Sequence, residues 1–180
     1  MPAEAVELCR SMMTGHAAAK QIELETRIAA SVGEIQGDRR AIQQMLLNLL
    51  SNAIKFTPQS GHISIEASRL GSMLQIKVSD NGIGIADSDL TRLGEPFVQV
   101  QNDLTRQFEG TGLGLSIVKG LVKLHEGSMS VESAPGEGTT VTIGLPVAGP
   151  TGATEKVSVL HYPANQAKKE ETDGSIRKIA

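Results

Sequence analysis

The chain reads as an α+β protein, a two-layer sandwich in which a mixed, mostly antiparallel sheet carries helices packed on one face. Three observations predict this. Two stretches, about 38–56 and 113–124, place apolar residues at helical spacing. Two pairs of alternating runs, about 62–69 with 73–79 and 129–133 with 139–145, are each joined by a short turn-forming link and read as hairpins. Hairpins leave few strand–helix–strand crossovers, which argues against a doubly wound parallel sheet and for helices gathered on one side.

The elements follow in order. Residues 4–19 place Val6, Cys9, Met12, Met13 and Ala17 at helical spacing. Ile22, Leu24 and Thr26 then alternate with Glu23, Glu25 and Arg27, a strand pattern. Asp38 is a suitable N-cap for a helix to about Phe56, with Ile42, Met45, Leu46, Leu49, Leu50 and Ala53 on one face and Pro58 as its stop. The strands at 62–69 and 73–79 join across Leu70-Gly71-Ser72, and a short helix covers 87–92. Residues 94–110 show little periodicity and end in glycine, the pattern of a long mobile loop, and such loops in small domains are usually functional. The next helix, from Leu113 to Leu124, is carried by Leu115, Ile117, Val118, Leu121, Val122 and Leu124 and closed by Gly127. The last hairpin turns at Pro135-Gly136-Glu137-Gly138. From 149 to 180 small and polar residues dominate, so a flexible tail is expected. No internal repeat is visible.

Composition narrows the function. At 180 residues there is room for one ordinary domain with some excess. Apolar content is 39% but aromatic content only 2%, with no Trp, so the core must be aliphatic. A net charge of −3 argues against a nucleic-acid binder. Cys9 is the only cysteine, which excludes a disulfide framework and a cysteine-based zinc site. No apolar run approaches the roughly 20 residues needed to span a bilayer, and the start lacks the basic and apolar regions of a signal peptide. A soluble protein of a reducing compartment is expected.

Chemistry concentrates in glycine-rich and Asn-rich runs. Asp80-Asn81-Gly82-Ile83-Gly84 is followed some thirty residues later by Gly110-Thr111-Gly112-Leu113-Gly114-Leu115. Glycine lets backbone N–H groups approach a phosphate with no Cβ in the way. Upstream, Asn48 and Asn52 lie four apart and so share a helix face, with Lys55 beyond them. Amide oxygens suit a cation and a lysine suits phosphate. Neither the P-loop nor the dinucleotide fingerprint is present.

These runs, in this order, resemble the nucleotide-binding boxes of bacterial sensor histidine kinases, in their catalytic and ATP-binding domain. DNA gyrase, a heat-shock chaperone and a mismatch-repair ATPase share the same superfamily. Asn48 through Thr57 resembles the asparagine box, and Asp80 through Gly84 the first glycine box. Glu95-Pro96-Phe97 resembles the phenylalanine box, Gly110 through Ser116 the second glycine box, and Gly136 through Thr140 the terminal glycine segment. The likeness covers roughly residues 20–146.

The resemblance implies a site for ATP and Mg²⁺. Asn52 would ligate Mg²⁺ with Asn48 beside it, and Lys55 would reach the phosphates. Asp80 would accept a hydrogen bond from the adenine amino group, favouring ATP over GTP. Gly82, Gly84 and Ile85 would shape the pocket floor, and Thr140, or Thr139 beside it, would support the carboxylate through water. Gly110, Thr111, Gly112, Leu113, Gly114 and Leu115 would lead from a lid into a helix whose N-terminal N–H groups favour the triphosphate. Arg106 is either a further phosphate contact or a solvated surface arginine. Phe97 would anchor the lid, with Phe108 as an alternative.

No histidine here fits the family's phosphoacceptor pattern: His16 precedes three alanines, His62 starts a strand, His125 ends a helix where its charge would compensate the helix dipole, and His161 is in the tail. The resemblance therefore implies a kinase catalytic domain, 20–148, that phosphorylates a histidine on a dimerisation and phosphotransfer domain absent from this chain. That phosphate would pass to a response regulator, 1–19 would be the remnant of a connecting helix, and 149–180 the tail. A cytoplasmic location is implied, without membrane or nucleic-acid contact by this chain, and an inner-membrane anchor elsewhere in the whole protein stays open. The rival readings are a hydrolase that drives a clamp and a nucleotide-binding pseudokinase. The hydrolases carry a glutamate base four residues before the metal-binding asparagine, where this chain has Asn48.

Overall fold

The computed structural model describes residues 2–90, 92–93 and 113–151. Helix α1 spans Pro2–Ala19 and strand β1 Glu23–Ile28; a 3-10 turn, Ala30–Val32, leads to α2, Arg39–Phe56. Strands β2 (His62–Leu70) and β3 (Met73–Asp80) form the first hairpin. A single turn of helix, α3, covers Asp87–Leu90, shorter than the expected 87–92. Helix α4 spans Gly114–Leu124, and β4 (Ser128–Ala134) with β5 (Gly138–Pro146) forms the second hairpin.

The sheet order is β1-β2-β3-β5-β4. All neighbours are antiparallel except β1 and β2, which run parallel because α2 crosses over between them. Register puts Ile63, Ile65 and Ala67 of β2 opposite Asp80, Val78 and Ile76 of β3, and Ile76 and Leu74 opposite Ile143 and Leu145 of β5. This face is buried under α2, whose Ile42, Met45, Leu46, Leu49, Leu50, Ala53 and Ile54 pack on it, and under Val118 and Val122 of α4. No aromatic residue is among the buried core residues described, as the composition requires.

Local chemistry explains the ends of the elements. Asp38 caps α2 by accepting the N–H groups of Arg40 at 2.8 Å and Ala41 at 3.4 Å. Helix α1, read above as a connecting remnant, contributes Ala5, Val6, Cys9 and Ala17 to the same core. It runs parallel to α2, since Glu4, Cys9 and Lys20 meet Arg39, Gln43 and Ile54 in turn. Helix α4 ends differently from expectation: the residue with positive φ is Glu126, at 52°, rather than Gly127. His125 stands at this helix end. Its Nδ1 donates to the Leu121 carbonyl at 2.8 Å, and its Nε2 accepts the Asp38 N–H at 3.4 Å, tying the end of α4 to the start of α2. Beyond β5, Val147 bonds Ser72 and Gln36, and Thr151 bonds Glu126. No helix of the described residues is long and apolar enough to cross a membrane.

Candidate functional site

The C-terminal ends of α2 and β3 meet the N-terminus of α4 and the turn end of the β4–β5 hairpin, and the motif residues gather there. Asp80, partly buried, ends β3. Its Oδ1 accepts the Gly82 N–H at 2.8 Å, a local turn bond typical of aspartate. The backbone N–H of Thr139, directly opposite on β5, donates to the same carboxylate. Burial raises the Asp80 pKa above its usual 3.8, and these two bonds oppose the rise. The carboxylate is thus fixed in place by backbone donors while keeping acceptor capacity for a ligand.

The first glycine run is tied down on both sides. The Ile83 N–H donates to the Phe56 carbonyl at the end of α2, at 3.2 Å, and the Ile83 carbonyl accepts the Gly136 N–H at 2.8 Å. At Gly82 there is no room for more: a Cβ would stand 2.6 Å from both the Phe56 carbonyl oxygen and Asp80 Oδ1. Gly84 has φ of 67°, and a Cβ there would run into the Ala134 carbonyl. Gly84→Ala is therefore expected to lower stability by about 1–3 kcal/mol from backbone strain alone, with the clash adding to it. Urea unfolding of the variant checks this; an unchanged midpoint would contradict the geometry.

On α2, Asn48 and Asn52 are both partly exposed, one turn apart. The Asn48 Nδ2 is buried and has no hydrogen-bond partner among the described residues. Gly114, the first residue of α4, sits over Asn52: a Cβ there would lie 3.5 Å from Nδ2 and 3.6 Å from Oδ1 of that amide. The asparagine run and the second glycine run are thus adjacent in space. Leu113 occupies the N-cap position of α4 without a side-chain cap bond of its own, its carbonyl accepting from Ile117 N–H at 3.0 Å and Ser116 Oγ at 2.8 Å, and Leu115 packs on the core. The first-turn N–H groups of such a helix favour an anion. Lys55 lies one turn beyond Asn52, partly buried, with Nζ 4.7 Å from the centre of the Phe56 ring; desolvation lowers its pKa.

One expected residue changes. Thr140 was to support Asp80, with Thr139 as its alternative, but register puts Thr140 opposite Ser79 on the other face of the sheet, where its hydroxyl donates to Ser79 Oγ at 3.0 Å. Thr139 is the residue that shares the face of Asp80. Ser133 was missed. Its Oγ accepts the Ile85 N–H at 2.9 Å, donates to the Gly138 carbonyl at 2.7 Å and meets Thr139 Oγ1 at 2.9 Å, joining the first glycine run to the hairpin. The hairpin turn makes Ser133 and Thr139 cross-strand partners, but the Ser133 bonds to the Ile85 and Gly138 backbone have no mark in the sequence. Phe97, Arg106, Phe108, Gly110, Thr111 and Gly112 lie outside the described residues.

The donor set fits Mg·ATP. Among the described residues no three His, Cys, Asp or Glu side chains gather into a metal site. The amide of Asn52 instead stands beside the start of α4, with Asn48 one turn before it on α2, and such neutral oxygens suit a small hard cation that keeps water and phosphate as most of its ligands. None of the described histidines is in the site: His16 is exposed on α1, His62 faces Glu23 and Glu25, and His125 bridges helices.

Known proteins resemble this chain in sequence and fold. Residues 37–149 match the family model for histidine kinase-, DNA gyrase B-, and HSP90-like ATPases. An uncharacterized sensor-like histidine kinase of Rhizobium meliloti is 51% identical over 154 residues, covering 86% of this chain and 29% of that protein. The histidine protein kinase DivJ of Caulobacter vibrioides is 40% identical over 144 residues, covering 80% and 24%. The crystal structure of full-length ShkA in complex with AMPPNP superposes with a TM-score of 0.71 at 30% identity, covering 81% of this chain and 30% of that one. The chain thus spans less than a third of the length of each of these relatives. With more than half of its residues matched and the fold shared, the chain belongs to the histidine kinase-, DNA gyrase B-, and HSP90-like ATPase family, as the ATP-binding catalytic domain of a histidine kinase.

Proposed function

We propose that this domain binds Mg·ATP between Asp80 and the asparagines of α2, and presents the γ-phosphate to a histidine on a dimerisation and phosphotransfer domain outside this chain. A response-regulator aspartate would then receive the phosphoryl group. The observation that carries the reading is that the last turns of α2 meet both glycine runs, Gly82 standing against Phe56 and Gly114 over Asn52. It supports Asp80, held by the N–H groups of Gly82 and Thr139, as the acceptor for the adenine amino group, and Asn52 with Asn48 as the groups for the triphosphate and its cation. Mg²⁺, when bound, would neutralise charge on the β- and γ-phosphates. The protein's own part is mostly positioning: phosphoryl transfer needs the attacking and leaving atoms in line and charge balanced, with little acid–base chemistry. Asn48, Asn52 and Lys55 fix the phosphates, and Asp80 fixes the base. The site works in the cytoplasm, where the nucleotide is.

A hydrolase reading turns on the residue four before Asn52. Asn48 is an amide whose buried donor has no partner among the described residues, and it cannot take a proton from water. General-base assistance is worth about 10²–10⁴ in rate, so the isolated chain is expected to bind Mg·ATP yet release phosphate very slowly. The assay follows γ-labelled ATP with and without an added phosphoacceptor domain, separating free phosphate from acid-labile, base-stable phosphoprotein. Labelling of the added domain supports the kinase; rapid phosphate release with no labelling establishes the hydrolase instead.

A further inference from the structure

Lys20 lies in the turn between α1 and β1, upstream of the residues matched by the family model. An α-helix leaves its last four carbonyls without partners inside the helix. In α2 each of them is claimed. Ala53 accepts from the Thr57 N–H at 2.9 Å and the Thr57 hydroxyl at 2.6 Å. Ile54 and Lys55 accept from the Lys20 ammonium at 2.7 and 3.0 Å, and Phe56 accepts from the Ile83 N–H at 3.2 Å. The ammonium reaches one residue further, to the Thr57 carbonyl at 2.8 Å. Three donors thus meet three carbonyls pointing out of one helix end, where a cation also suits the helix dipole.

The turn carrying Lys20 is itself fastened to the loop after α2. Ser60 N–H donates to the Lys20 carbonyl at 3.0 Å, Glu23 N–H to the Gly61 carbonyl at 2.9 Å, and Gln59 Nε2 to Gln21 Oε1 at 2.9 Å. From the clamped helix end the chain of contacts runs directly into the site. The Phe56 carbonyl is the post that holds Ile83 N–H and sits against Gly82, and Gly82 N–H in turn holds the Asp80 carboxylate. Lys55 occupies the same last turn.

We infer that Lys20 is a positioning residue for the nucleotide site, setting the end of α2 from which the first glycine run and Asp80 take their place. The inference rests on the nucleotide reading of that site. Without the ammonium, the Ile54 and Lys55 carbonyls lose their partners, the last turn frays, and Phe56 no longer holds Ile83 in one position.

The test measures Mg·ATP affinity of the chain by calorimetry at a temperature where circular dichroism shows each variant folded. Alongside it, NMR follows hydrogen exchange at the Ile83 amide. Lys20→Met is expected to weaken binding about tenfold, the size expected for lost hydrogen bonds to a charged group, and to speed exchange at Ile83. Lys20→Arg, which keeps a cation with several donors, restores most of the affinity. Val32→Ala opens a cavity at a buried position in the 3-10 turn and serves as a control for plain loss of stability. Its affinity stays within about twofold, since distant sites act independently. Unchanged affinity and exchange in folded Lys20→Met overturns the inference, as does an equal loss in Val32→Ala. Should Lys20→Met not fold, the unaltered chain decides: reciprocity requires Mg·ATP to slow exchange at Thr57, Ser60 and Ile83, and no slowing overturns it. A chain that binds no Mg·ATP at all refutes the nucleotide site itself, a different failure from the loss of Lys20's role.

Discussion

Replacing Asp80 by asparagine is expected to remove most of the ATP affinity while leaving the fold intact. The carboxylate is placed by Gly82 and Thr139 N–H groups, and an asparagine oxygen can take over one of those bonds. Toward the pocket, however, the amide presents a donor to the adenine amino group where an acceptor stood. A hydrogen bond to a charged group is worth about 1.5–3 kcal/mol net, so affinity should fall by about 10- to 150-fold. Stability moves the other way with pH. Because burial raises the folded-state pKa of Asp80 above 3.8, the native protein holds this proton more tightly than the unfolded chain does. Its contribution is therefore greatest below 3.8 and is lost as pH rises through the folded-state value. Asparagine carries no such dependence, so the nucleotide-free variant should gain on the original protein between pH 3 and pH 7. Titration calorimetry and urea unfolding at the two pH values check both halves; unchanged ATP affinity would remove Asp80 from the adenine site.

Asn52→Ala is expected to abolish Mg²⁺-dependent phosphotransfer to an added phosphoacceptor domain. The side chain is partly exposed on α2 and packs against the first residue of α4, so alanine should keep the helix and even favour it by a few tenths of a kcal/mol. What is lost is the amide oxygen proposed to hold the cation against the phosphates. Metal stabilisation of transition-state charge is worth several kcal/mol, and 1.36 kcal/mol is tenfold in rate, so a loss of about 10²-fold or more is expected at saturating nucleotide. Magnesium-free ATP should still bind through Asp80. Transfer at the original rate in the variant would place the cation elsewhere.

Much of this was legible in the residues. Asp38 and Pro58 bracket α2, and its apolar face is written at helical spacing. Both hairpins follow from alternation and turn residues. The parallel pairing of β1 with β2 was not, because periodicity reports burial but not a strand's neighbour. The choice between Thr139 and Thr140 depends on register, where a shift of one residue moves a side chain to the opposite face. Ser133 acts through backbone groups of Ile85 and Gly138, and Lys20 through carbonyls 34 to 37 residues away. Backbone atoms carry no residue identity, so such partners leave no trace in a motif.

The parallel strand β1 has a consequence for solubility. By lying along β2 it covers His62 to Ala67 of that nine-residue strand, His62–Leu70, whose inner face is Ile63, Ile65 and Ala67. A chain shortened to the matched residues 37–149 would leave that strand as a long open margin, the kind that templates pairing between molecules. Strand β1 ends the sheet more safely, being six residues long and bearing Glu23, Glu25 and Arg27 on its outer face. Charges on a short margin discourage a second copy from adding a strand. The segment before residue 29 thus protects the sheet against self-association.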